Sequence, residues 1–122
     1  MLTKILCTAL ASGAILLAFG APTKEERGKD LFARRCSGCH ALDLIKEGPP
    51  LRAVYGRKAA SAPGFVYSEA LKRAAIRWDE STLERWLTNP DALAPDTDME
   101  FRLGDGEERK AVIAYLKALG AQ

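Results

Sequence analysis

Residues 36–40 read CSGCH, and no other stretch constrains this chain as tightly. The pentapeptide sets Cys36, Cys39 and the chain's single histidine, His40, side by side. Thiolate and imidazole are the soft and borderline metal-binding groups of proteins. A disulfide between Cys36 and Cys39 would close too small a loop to act as a structural staple. The fold has to be one that gives two thiols and an imidazole something else to hold.

How many further ligands the chain can offer depends on its first residues. The opening run, MLTKILCTALASGAILLAFGA, has an early cation at Lys4 and is then uncharged from residue 5 to residue 21. Small residues at Ala18 and Gly20 suit the positions before a signal-peptidase cut. Residues 1–20 therefore read as a secretory signal peptide cleaved between Gly20 and Ala21, with residues 21–122 as the mature domain in the periplasm. The alternative is a retained membrane anchor, for which the run is barely long enough and lacks a stop-transfer cluster of cations. With the leader go Cys7 and Met1. An exported chain also meets conditions in which thiols can oxidise.

What remains suits one domain. A hydrophobic content of 48% is enough for a core, though a domain this small often needs a staple from outside its own side chains. The formal net charge is +2, and no block of five basic residues occurs, so nothing points to a nucleic acid partner.

Four segments read as helices. TKEERGKDLFARRC has Thr23 and Glu26 at capping-box spacing, with Gly28, Leu31 and Phe32 on one face. SEALKRAA is short, with Ser68 placed to cap it. DESTLERWLTNP starts at Asp79, carries a stripe of Leu83, Trp86 and Leu87, and stops before Pro90. DGEERKAVIAYLKALG has Asp105 and Glu108 at cap and third positions, a stripe of Val112, Tyr115, Leu116 and Leu119, and Gly120 at its end. Between them run two long loops, residues 41–67 and 89–103, rich in glycine and proline. Loops of that length are uncommon in a compact domain unless they have work to do. Wrapping a large buried cofactor is such work.

Three uses of CSGCH compete. A structural zinc site takes four protein ligands, but the mature chain offers three Cys/His groups, two of them adjacent. A CxxC redox site belongs in a βαβ context, and no strand-period run is convincing here. The third use, C-x-x-C-H as the attachment signature of a c-type haem, fits both the spacing and the loops. Two thiols add to the two vinyl groups on one porphyrin edge, and the next residue, His40, turns beneath the ring to bind iron. Outside the leader one methionine remains, Met99, in the polar loop APDTD-M where a core-filling methionine is not expected.

From residue 24 to residue 119 the chain resembles the class I c-type cytochromes, close to the mitochondrial cytochrome c and bacterial cytochrome c2 group. The stretches that carry the resemblance are GKDLFARRCSGCH, EGPPL, YGRKAASAPGFVYSEA, IRW, LERWLTNP, PDTDM and AVIAYLKAL, in the family's order. The resemblance implies an all-α fold: a single cytochrome c domain wrapped around one covalent haem, with long irregular loops. It implies His40 and Met99 as the iron ligands and the carbonyl of Pro49 as the acceptor that fixes the His40 ring. It implies that Arg57, Tyr67, Trp78 and Thr97 hold the haem propionates, and that Phe32 and Tyr115 mark a crossing of the first and last helices at Gly28. The implied function is one-electron carriage by a monomer, not catalysis. The donor would be a quinol-oxidising complex or a periplasmic dehydrogenase, and the acceptor an oxidase or similar protein.

Departures from the family pattern are local. The loop from His40 to Pro49 is shorter than in mitochondrial proteins. Trp86 replaces the tyrosine usual near the methionine, and Leu71 occupies a site that is often asparagine; both changes are expected to remove hydrogen bonds near the haem. Asp98 and Glu100 flank Met99, which argues against a docking face ringed with lysine. Rival readings are a haem peroxidase or gas sensor, which needs an open iron, and a membrane-anchored cytochrome domain.

Overall fold

The computed structural model describes residue 15 and residues 19–120, so the leader read for residues 1–20 lies almost wholly outside the described residues. Helix α1 spans Lys24–Leu31, α2 Glu69–Arg73, α3 Glu80–Thr88, α4 Pro90–Leu93 and α5 Gly106–Gly120. The described residues contain no strand, only an isolated antiparallel bridge between Lys58 and Arg77. The fold is all-α, as the sequence implied.

Local chemistry sets the helix starts. Thr23 Oγ1 accepts from the Glu26 amide at 3.2 Å while the Glu26 carboxylate accepts from the Thr23 amide at 2.7 Å. Asp79 and Thr82 form the same reciprocal pair ahead of α3. Ser68 caps α2 through the Leu71 amide, and Asp105 accepts from the Glu108 amide ahead of α5. Each cap satisfies donors that a helix start leaves orphaned.

Two features differ from the sequence reading. The first helix does not run as α-helix to Cys36: residues Phe32–Cys36 form a π-helical turn, closed by the Ser37 amide donating to Phe32 O. The wider turn brings Phe32, Arg35 and Cys36 onto one cavity wall. The loop after α3 is not wholly irregular. Asn89 is extended, and Pro90 then opens the short α4 from its first turn, where a missing N–H costs nothing and φ is already helical.

The first and last helices cross at Gly28. A Cβ there would lie 2.0 Å from Ala111 O and 2.8 Å from Tyr115 Cβ, so only glycine lets the backbones approach this closely. Phe32 and Tyr115 meet edge-to-face beside the crossing, with centroids 5.6 Å apart. Leu31, Val112, Ile113, Leu116 and Leu119 bury their side chains around it. Helix α3 packs on α5. Arg109 ties the two together: its Nε donates to Glu84 at 2.7 Å, and Nη1 donates to the carbonyls of Leu103 and Gly104.

Candidate cofactor site

The loops and helices enclose a cavity of about 600 Å³. This falls in the size range of pockets that bury cofactors. Most of its wall is apolar, including Phe32, Leu51, Val54, Leu71, Leu83, Leu87 and Leu116. Cys36, Cys39, His40 and Met99 all line it, although Met99 lies 59 residues beyond His40 in the chain.

Cys36 ends the π-helical turn, and the Cys39 and His40 amides both donate to Cys36 O at 3.1 and 2.9 Å. This tight turn delivers both sulfurs and the imidazole to one side of the cavity. His40 Nδ1 lies 2.8 Å from Pro49 O. A carbonyl can only accept, so Nδ1 carries the proton and the Nε2 lone pair is left for a metal. Burial pushes the His40 pKa down, against the opposing pull of the Pro49 hydrogen bond, which keeps the ring neutral as metal ligation requires. Gly48 completes the cradle. A Cβ at this position would lie 2.3 Å from His40 Cε1 and 2.6 Å from Nδ1. The demand is for space, since Gly48 is not among the residues with positive φ. Sequence reasoning gave Gly48 no such role; its position just before the ring-fixing Pro49 was the available signal.

The thiols are not poised as nucleophiles. Burial pushes Cys36 up to about 11. Cys39 is also raised, first by its hydrogen bond to the Glu47 carboxylate at 3.5 Å. A redox-active dithiol needs the reverse, a depressed thiol pKa.

The polar residues singled out from the sequence also reach this cavity. Arg57, Tyr67, Trp78 and Thr97 line it. Arg57 Nη2 donates to Pro50 O at 3.1 Å, which fixes the guanidinium against the wall. Tyr67 Oη accepts from the Ala62 amide at 3.1 Å, leaving its own O–H to donate elsewhere. Thr97 Oγ1 stands 3.5 Å from Ser68 Oγ. Trp78 packs edge-to-face on Trp86, centroids 5.2 Å apart. On the methionine side one expectation is overturned. Trp86 does not remove a hydrogen bond: its indole Nε1–H donates to Met99 Sδ at 3.2 Å. An indole carries a donor on its ring edge just as a phenol carries one at its tip, and the larger ring still reaches. Leu71 does present an apolar surface to the cavity.

These residues fit a c-type haem. Two thiols and a neutral imidazole share one end, a thioether lines the same space, the walls are mostly apolar, and fixed polar groups are available for two carboxylates.

Comparison with known proteins gives a consistent result. The sequence profile of the cytochrome c family matches residues 25–120. Cytochrome c of Euglena viridis is 41% identical over 97 residues, covering 77% of this chain and 95% of that protein. Cytochrome c2 of Rhodomicrobium vannielii is 40% identical over 112 residues, covering 88% of this chain and 86% of its own. Among solved structures, cytochrome cH from Methylobacterium extorquens superposes with a TM-score of 0.71 at 36% identity, covering 75% of this chain and 95% of that one.

Proposed function

This chain belongs to the cytochrome c family, and on that premise we propose that it shuttles single electrons between exported redox proteins, with its haem linked to Cys36 and Cys39 and ligated by His40 and Met99. The coarser part needs no proposal: members of the family bind one covalent c-type haem and carry electrons, and they are not enzymes. The observation that carries the finer reading is the shared cavity. His40, held on Pro49 with Nε2 free, and Met99, held by Trp86, line the same apolar space.

The haem supplies a ferric/ferrous couple that gains and loses one electron without bonding to a substrate. The chain's own residues set the conditions. Pro49 and Gly48 fix the His40 ring, so the ligand does not have to reorganise between oxidation states. Apolar walls keep water out and disfavour the extra charge of the ferric form, while a thioether ligand favours the ferrous one. The N–H of Trp86 draws electron density from the Met99 sulfur and pushes the same way. Arg57, Tyr67, Trp78 and Thr97 are the candidates to hold the propionates.

We place the mature protein in the periplasm after removal of residues 1–20, as a monomer. Its donor would be a quinol-oxidising complex or dehydrogenase, and its acceptor an oxidase. No helix among the described residues is long and apolar enough to cross a membrane. N-terminal sequencing of the exported protein tests the leader, with Ala21 expected first.

Substitution at Met99 tests the ligand set. Met99→Ala should keep the haem covalently attached, because CSGCH is untouched, but it should bind carbon monoxide in the ferrous state. Wild-type protein that binds carbon monoxide just as readily would contradict Met99 as a ligand and would favour the open-iron sensor or peroxidase.

A further inference from the structure

The segment that carries Met99 is thinly supported. The backbone is pinned before it, where the Thr97 amide donates to Ala94 O at 3.1 Å, and after it, where the Leu103 amide donates to Leu87 O at 2.8 Å. Between those pins, residues 98–102 take part in no backbone–backbone hydrogen bond among the described residues. Side chains have to hold the span in place. From the interior, Trp86 Nε1–H reaches Met99 Sδ. From the outside, the Arg35 guanidinium lies over the Phe101 ring, with Cζ 5.7 Å from the centroid.

Arg35 is placed for this by the π-helical turn, directly before Cys36, and lines the same cavity as Met99 and Phe101. It makes no hydrogen bond or ion pair among the described residues, unlike its neighbour Arg34, which is paired with Asp30. Asp98 and Glu100, exposed on either side of Met99, are in no ion pair among the described residues either. The tie across the cavity mouth is therefore a cation on an aromatic face, not a salt bridge.

We propose that Arg35 is a positioning residue for Met99: its guanidinium clasps Phe101 across the cavity mouth and keeps residues 98–102 closed over the cofactor. The inference rests on the reading of Met99 as iron ligand. It adds that the ligand's hold depends on a residue on the cysteine side of the molecule. Any small ligand for the iron must first displace Met99, so opening the clasp lowers the cost of displacement.

The test is equilibrium titration of the ferric holoprotein with neutral imidazole at pH 8, followed by loss of the far-red methionine-to-iron band. Arg35→Ala should bind imidazole about two- to fivefold more tightly than wild type, the size of an exposed cation–aromatic contact. Arg35→Lys, which keeps a cation within reach, should fall between the two. Phe101→Leu should match Arg35→Ala, and adding Arg35→Ala to Phe101→Leu should change little further. Thermal melts of each variant identify any general loss of folding, and Arg35→Gln replaces the alanine variant if that yields no holoprotein. An affinity for Arg35→Ala within about 1.5-fold of wild type overturns the proposal, as does an undiminished Arg35 effect on the Phe101→Leu background. Failure of the underlying ligand reading is separately visible, since wild-type protein would then lack the far-red band before any imidazole is added.

Discussion

Individual contacts around His40 and Met99 decide how the site behaves. Trp86 is the most informative of them. Its N–H donates to Met99 Sδ at 3.2 Å, and with Met99 as the proposed iron ligand that contact would weaken sulfur donation to the electron-poor ferric state. Trp86→Phe keeps an aromatic ring but removes the donor, and should lower the reduction potential. A hydrogen bond of ordinary net worth, about 0.5–1.5 kcal/mol, corresponds to about 20–60 mV for a one-electron couple. Potentiometry of both proteins reads this directly. Gly48 is the second case. Its missing side chain is the space in which the His40 ring sits, so Gly48→Ala must displace the ring or the loop. We expect a loss of about 1–3 kcal/mol, the usual cost of overpacking, measured by denaturant unfolding of the holoprotein. The residue types at the site were legible in the sequence because CSGCH is contiguous and Met99 stands alone in a polar loop. The hydrogen bond of Trp86 was not. Residue identity does not tell whether a bulkier ring still points its donor at a sulfur, and that depends on the angle at which α3 passes the loop.

Helices and loops divide in the same way. The caps at Thr23, Ser68, Asp79 and Asp105 could be read from spacing, because a cap is a local bargain between residues three apart. The π-helical turn at Phe32–Cys36 could not, since it answers to where Cys36 has to point. Arg109 was also missed, although there was a signal. A cation in the first turn of α5 faces the positive end of the helix dipole and implies a partner elsewhere. That partner is Glu84, with the carbonyls of Leu103 and Gly104. Arg109→Ala removes charged hydrogen bonds from a mostly buried group and should cost about 2–3 kcal/mol by unfolding. It should also loosen the chain just after the methionine segment. The caps carry a pH dependence. Hydrogen bonds from the Thr82 amide and hydroxyl hold Asp79 below its ordinary pKa, and those from Thr23 hold Glu26 below its own. For a depressed carboxylate the stabilisation is fully present above the unfolded pKa, near 4, and is lost as pH falls through the folded value. The melting temperature should accordingly hold steady from pH 7 to about pH 5 and fall below about pH 4. Asp79→Ala should melt lower at neutral pH and show a shallower acid fall.

For the whole molecule, the cavity of about 600 Å³ is a core that the polypeptide does not fill by itself. The loops around it are ordered at an entropic cost that apolar contact with the cofactor has to offset. Cys36→Ala or Cys39→Ala should therefore sharply lower the yield of folded protein, and a protease-resistant helical apoprotein would contradict this. The molecular surface bears on partners. Ten of the sixteen acidic residues fall within residues 79–108, the part of the chain that includes the methionine segment. Asp98, Glu100 and Arg35 are all exposed and line the same cavity. A face of mixed sign sums to a weak field. Electron exchange with an acidic partner should slow only slightly from low to physiological salt, less than for a lysine-ringed cytochrome in the same stopped-flow experiment. The claim on which the rest depends is that His40 and Met99 bind the two faces of one haem. With residues 1–20 removed, Met99 is the only methionine, so labelling methionine methyl groups with carbon-13 gives a single NMR signal from the ferrous protein. A ligating thioether lies directly against the porphyrin face, and its methyl resonance should appear far upfield of the ordinary methionine position through the ring current. A signal at the ordinary position, as for a methionine in solvent or in an aliphatic core, would contradict the assignment.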